Sequence, residues 1–116
     1  MEISFKNKKL QKLFNLSELE KIHGKGRAKK IKIRLAELVA AENLMDFYPP
    51  KSKPARCHEL IQGKAGKEKQ LSVDLDHPYR LIFVPNHDPI PLLSDGGLDW
   101  SQVTAITMID IQDTHE

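Results

Sequence analysis

The stretch Leu71-Ser72-Val73-Asp74-Leu75-Asp76-His77-Pro78-Tyr79-Arg80-Leu81-Ile82-Phe83-Val84 restricts the possible folds of this chain more than any other. Apolar and polar residues alternate from Leu71 to Leu75 and a β-rich run follows Pro78, a pattern that predicts two strands folded back on each other. Pairing about a short Asp-His-Pro loop sets Leu71, Val73 and Leu75 opposite Phe83, Leu81 and Tyr79 on one face. Asp74 and Arg80 then oppose each other on the other face. Pro78 cannot take a positive φ, which favours a wider loop without changing this register. An arginine is thereby fixed on a rigid strand beside a polar face, where a site can be built.

The remaining segments fall into place around the hairpin. Residues 1–5 alternate Ile3 and Phe5 with polar neighbours and predict a short first strand. Asn7 suits the N-cap of a helix over 8–15, in which Leu10, Leu13 and Phe14 share a face. Ser17-Glu18-Leu19-Glu20 has the form of a capping box that restarts the helix, and Gly24 ends it. A second helix is expected over 27–44, with Ala28, Ile31, Leu35, Leu38 and Val39 at helical spacing and Ala41 and Met45 continuing near that face. Its other face carries Arg27, Lys29, Lys30, Lys32 and Arg34. Pro49-Pro50 terminates the helical region, and Lys51-Ser52-Lys53-Pro54 reads as a basic linker.

Beyond it the chain reads as strands. One is expected over 57–61, followed by the Gly/Lys-rich run 63–69, the hairpin, and a loop over 85–102 that Trp100 pins to the body. The last strand, 103–111, is apolar on both faces in its middle and is expected to be central and covered by the helices. Two N-terminal helices followed by an antiparallel sheet make an α+β layered architecture.

At 116 residues the chain is expected to form a single domain over 1–116. No apolar run approaches the roughly 18 residues of a membrane span, and the N-terminal residues lack the apolar segment of a signal peptide. Cys57 is the only cysteine, so an intramolecular disulfide is impossible and a reducing cytoplasm is the expected compartment. Charge is unevenly spread. Residues 1–34 carry 11 Lys/Arg against 3 acids, whereas residues 81–116 carry 6 acids and no Lys/Arg. Such asymmetry suits a polyanion-facing surface at one end, or an acidic surface for a basic partner at the other.

The cysteine clusters and paired helical histidines of a zinc site are absent, and adjacent strand residues Cys57 and His58 point to opposite faces, so neither a metal nor a cofactor is expected. Gly63-x-x-Gly66-Lys67 is too short for a phosphate-binding P-loop. The residues left over suit phosphodiester chemistry: His58, the loop lysines Lys64, Lys67 and Lys69, Arg80, and Asp113 and His115 beyond the last strand. Cleaving RNA through its own 2′-hydroxyl needs a base, a cation for the phosphorane charge and an acid for the leaving oxygen. Histidine titrates nearest the working pH, while Arg and Lys stabilise the developing charge.

Taken in order, Ile3-Ser4-Phe5-Lys6-Asn7-Lys8-Lys9-Leu10-Gln11-Lys12-Leu13, Arg56-Cys57-His58-Glu59-Leu60, the 71–83 stretch and the 109–115 end resemble the RelE/ParE-superfamily toxins of HigB type. The resemblance implies a small fold of two helices against a curved antiparallel sheet. It also implies a ribosome-dependent mRNA endonuclease whose partners are the ribosome, its mRNA and a HigA-like helix-turn-helix antitoxin, with DNA met only through the antitoxin. Carried over by position, the R-x-H-x-L histidine is His58, the strand arginine is Arg80, and the terminal D-Y-H becomes Asp113-Thr114-His115. His58 and His115 are then the acid/base pair, Arg80 the transition-state cation and Asp113 the residue that orients His115, with Arg56, Lys64, Lys67 and Lys69 binding RNA. Two positions depart from that pattern. Thr114 stands where the family has a base-stacking tyrosine, and Ile61-Gln62 replaces the lysine that follows the H-x-L motif.

Overall fold

The structure, a computed structural model, describes residues 1–60 and 69–113. In chain order these form β1 (Glu2–Phe5), α1 (Lys8–Leu13), α2 (Leu16–Ala40), β2 (His58–Glu59), β3 (Leu71–Asp74), β4 (Tyr79–Pro85) and β5 (Ala105–Asp113). Short 3-10 turns occupy Leu44–Phe47 and Trp100–Gln102. The described strands make one five-stranded sheet in the order β1-β5-β4-β3-β2. It is α+β as expected, but the sheet is mixed rather than antiparallel, because β1 runs parallel to β5. The reason is connectivity. The chain passes through both helices and most of the sheet before β5 returns beside β1, so no hairpin dictates their direction.

The hairpin has the register read from its alternation: Leu71 faces Phe83, Val73 faces Leu81 and Asp74 faces Arg80. Leu75 N donates to Tyr79 O at 3.0 Å, which keeps the loop to Asp76, His77 and Pro78, no wider than three residues. Leu71, Val73, Leu75, Leu81 and Phe83 join Met108 and Ile106 of β5 in the core, against Ala28, Ile31 and Leu38 of α2. β5 is central, as its doubly apolar middle requires.

Asn7 caps α1, accepting from Leu10 N at 2.8 Å. The next cap is Asn15, not Ser17: its side chain accepts from Glu18 N at 2.9 Å, so α2 starts one residue before the expected capping box. Gly24 breaks α2 with φ 82°, a left-handed conformation that glycine adopts without strain. The second part ends at Ala40 rather than near residue 44, since Asn43 caps the following 3-10 turn by accepting from Met45 N. Val39 and Met45, expected on the apolar face, are exposed, and Arg34 is buried in their stead.

The segment after Pro49-Pro50 is a pinned turn, not a free linker. Lys51 N donates to Cys57 O, Arg56 N to Ser52 O and Asp74 N to Ala55 O, all within 2.9 Å. Strand pairing at this edge is limited to His58 and Glu59, and the expected end of that strand at Ile61 lies outside the described residues. The loop 85–102 is held down as expected by Trp100, which is buried edge-on to Tyr48. Among the described residues no helix is long and apolar enough to cross a membrane.

Candidate active site on the polar face of the sheet

Strand alternation gives the sheet a second face, turned away from α2. Two rows cross it. One runs His58, Ser72, Ile82, Asp110, and the other Asp74, Arg80, Gln112. Arg56 joins the second row from the turn segment through its bond to Asp74.

Asp74 is the hub. One carboxylate oxygen accepts from Arg56 Nη1 at 3.0 Å, and the other lies 3.5 Å from Arg80 Nε. That second contact is an ion pair without hydrogen-bond geometry, so Asp74 Oδ1 is buried with no hydrogen-bond partner among the described residues. The main chain of Asp74 is fixed on both sides: its N–H donates to Ala55 O, and its carbonyl accepts from Arg34 Nε at 2.7 Å. Arg34 also donates to Pro54 O at 3.2 Å and pairs with Glu37. A helix arginine thus ties the turn segment to the hairpin from within the protein.

His58 is held by its backbone neighbour. Its Nδ1 lies 2.7 Å from Arg56 O, and its Nε2 lies 3.5 Å from Arg80 Nη1. A carbonyl only accepts, so Nδ1 carries the hydrogen and donates it. A guanidinium only donates, so Nε2 turns its lone pair towards Arg80. Arg56 has φ 50°, a left-handed conformation that is uncommon for a side-chain-bearing residue, and its carbonyl is the group that fixes the His58 tautomer. His58 is almost wholly buried, and its Nε2, once released from the long contact to Arg80, is the ring position that can take a proton next to a developing negative charge.

Of the residues expected to act together, His58, Arg56 and Arg80 converge. Asp113 does not join them. It pairs with Tyr79 rather than Arg80, and a β-bulge between Ile82 and Phe83 sets Asp110 and Gln112 on the polar face, leaving Ile111 and Asp113 on the helix side. There the Asp113 charge helps to raise the pKa of Arg27, after the larger effect of the Asp76 hydrogen bond. Lys69 is half-buried just before β3. Lys64, Lys67, Thr114 and His115 lie outside the described residues.

Sequence reasoning missed the roles of Asp74 and Arg34. The signal for Arg34 was present: Arg27, Ile31, Arg34, Leu38 and Ala41 recur at the four-three spacing of a buried helical stripe. Two of the five cations expected on the face opposite the apolar stripe therefore turn inward. Burial pushes the Cys57 thiol up to about 12, which leaves it a neutral core residue. No three His, Cys, Asp or Glu side chains among the described residues gather as a metal would require.

No family model, curated protein or solved structure matches this chain in comparisons with known proteins.

Proposed function

We propose that the chain is a HigB-like toxin of the RelE/ParE type, a ribosome-dependent mRNA endonuclease of the cytoplasm that inhibits translation and is held by a HigA-like antitoxin. One observation carries this reading. His58 Nε2 and Arg80 Nη1, from strands 22 residues apart in sequence, meet at 3.5 Å on the polar sheet face. The family's arrangement of two N-terminal helices against a sheet is compatible with the α+β architecture of α1, α2 and the five strands.

In this reading Nε2 of His58 takes the proton of a 2′-hydroxyl. The freed oxygen bonds to phosphorus, and Arg80 stabilises the added negative charge. The bond to the 5′ oxygen breaks, and that oxygen takes a proton from an acid, for which the resemblance offers His115. A 2′,3′-cyclic phosphate and a free 5′-hydroxyl result. The antitoxin surface would be the cleft of about 500 Å³ beside α2, where Leu16, Ile33 and Ala36 meet three lysines, Lys25, Lys29 and Lys32, and one acid, Glu20. Its apolar floor and lysine rim suit an acidic amphipathic partner segment.

Induced expression with mapping of mRNA ends on ribosomes tests the activity. Growth arrest and new ends within translated messages are expected, and both should vanish in a His58→Ala, Arg80→Ala double variant. Undiminished cleavage by that variant overturns the assignment. A second reading, a non-nucleolytic toxin-fold protein such as a ParE-like gyrase inhibitor, draws on Asp113 lying on the helix side of the sheet. Stabilised cleaved DNA in a ribosome-free gyrase assay would establish it.

A further inference from the structure

We infer that Asp74 is a positioning residue, holding Arg56 and Arg80 as a two-armed cradle for a single phosphodiester of single-stranded RNA beside His58 Nε2. The inference rests on the nuclease reading for its reaction, but the cradle itself is visible in the geometry. Three arginines converge on this one residue, and they are not equivalent. Arg34 is buried and binds the Asp74 carbonyl, a purely internal use. Arg56 and Arg80 bind the carboxylate from its two oxygens, and their side chains stay 39% and 28% exposed.

Each guanidinium carries five N–H donors. Arg56 engages Asp74 through Nη1 alone, and Arg80 approaches it through Nε while Nη1 faces His58. Among the described residues both therefore retain donors for the non-bridging oxygens of a phosphate. Without the carboxylate between them, two like charges this close would repel each other and splay. With it, the cluster carries one net positive charge, which matches the single negative charge of a phosphodiester. The exposed donors bind, and the shielded carboxylate, 22% exposed, keeps them aimed.

The cradle is also coupled to the base. The residue whose side chain binds Asp74 is the one whose carbonyl fixes the His58 tautomer, so a shift of Arg56 moves both arms of the site. Asp74 is the rigid point of this linkage, because Ala55 and Arg34 fix its main chain.

Asp74→Asn is the decisive variant, since it keeps the shape and removes the charge. Its cleavage kcat on translating ribosomes should fall about 100-fold, the scale expected of misplaced reacting groups. Its affinity for a short single-stranded oligoribonucleotide with 2′-O-methyl riboses should hold or rise, because the cluster gains net positive charge. The side-chain Nε–Hε NMR signals of Arg56 and Arg80 should lose their dispersion. Loss of folding alone would lower affinity and kcat together. Asp74→Glu, which keeps the charge and moves it by one methylene, should show a smaller kcat loss with dispersed arginine signals, and it serves if the Asn variant does not fold. Cleavage at the wild-type rate in either variant, while Arg80→Ala lowers it about 100-fold, overturns the positioning role and leaves the nuclease reading standing. Unaltered cleavage in Arg80→Ala overturns the nuclease reading, and the NMR and oligonucleotide measurements still decide whether Asp74 builds a cradle.

Discussion

The same hairpin carries two arginine–aspartate clusters, one on each face, and they are built differently. On the helix side Arg27 Nε bonds both oxygens of Asp76, at 2.9 and 3.1 Å, while its guanidinium lies 3.5 Å from the centre of the Tyr79 ring. The hydrogen bond from Arg27 holds the Asp76 carboxyl below its ordinary value. This cluster is closed, with its cation stacked and chelated. On the polar side Asp74 is shared between Arg56 and Arg80, and one of its oxygens has only a 3.5 Å ion pair. Identical residue types thus serve as a clasp in one place and as an underfilled site in the other. The difference lies in how many oxygens of each carboxylate accept a hydrogen bond, two in Asp76 and one in Asp74.

Breaking the scaffold behind the polar-side cluster should have the largest effect on stability. Arg34→Met removes two charge-assisted hydrogen bonds, to Asp74 O and Pro54 O, and should cost about 3 kcal/mol in urea unfolding. Next, Arg80→Ala should lower mRNA cleavage by about 100-fold, or about 2.7 kcal/mol, with the melting temperature little changed, as expected for loss of a transition-state donor. Arg27→Ala should do the reverse. It should destabilise by about 1 kcal/mol in thermal unfolding and leave cleavage near wild type, since its partners are a half-exposed carboxylate and a ring.

A smaller effect should appear on acidification. The Asp76 pKa is lowered in the folded state, so its contribution is fully present above the ordinary 3.8 and is lost as pH falls through the folded value. The stability gap between wild type and Arg27→Ala should narrow over that window in pH-dependent denaturation. His23 has the same sign at higher pH. Burial, and then Arg27, lower its pKa from 6.5, so stability should begin to decline as pH drops below about 6.5. A gap that does not change with pH would mean that Arg27 does not hold the Asp76 carboxyl down.

Much of the fold was legible because it rests on local alternation. Leu71, Val73 and Leu75 could satisfy only one register against Phe83, Leu81 and Tyr79, and a slip by one residue would have turned all of them to solvent. Asn7 and Gly24 were equally readable, each fixed by the chemistry of a helix end. What stayed hidden depends on partners far away in sequence. The direction of β1 is decided about a hundred residues later by β5. Arg34 looked like a surface cation because charge was weighed before spacing. The role of Asp74 depends on the path of residues 54–56, including the left-handed backbone of Arg56, which no propensity announces. The candidate site was legible as a set of residue types, and His58 with Arg80 proved neighbours. Asp113 did not: its role came from position in the family pattern beyond an expected strand end at Ile111, whereas β5 runs on to Asp113 and the bulge sets it on the helix side.

That bulge acts as a phase switch for the end of the chain. With Ile109 as the extra residue, Met108 and Ile111 both reach the core although they are an odd number of positions apart. Every position from Asp110 to Asp113 consequently has its parity inverted relative to the first half of β5. Point substitutions in β5 change what is displayed on each face, but not which residues are displayed there. Deleting Ile109 would remove the bulge and leave these faces as they are, with Gln112 still opposite Arg80 and Asp113 opposite Tyr79, whereas pairing the full strand without a bulge would carry Asp113 to the side of His58 and Arg80.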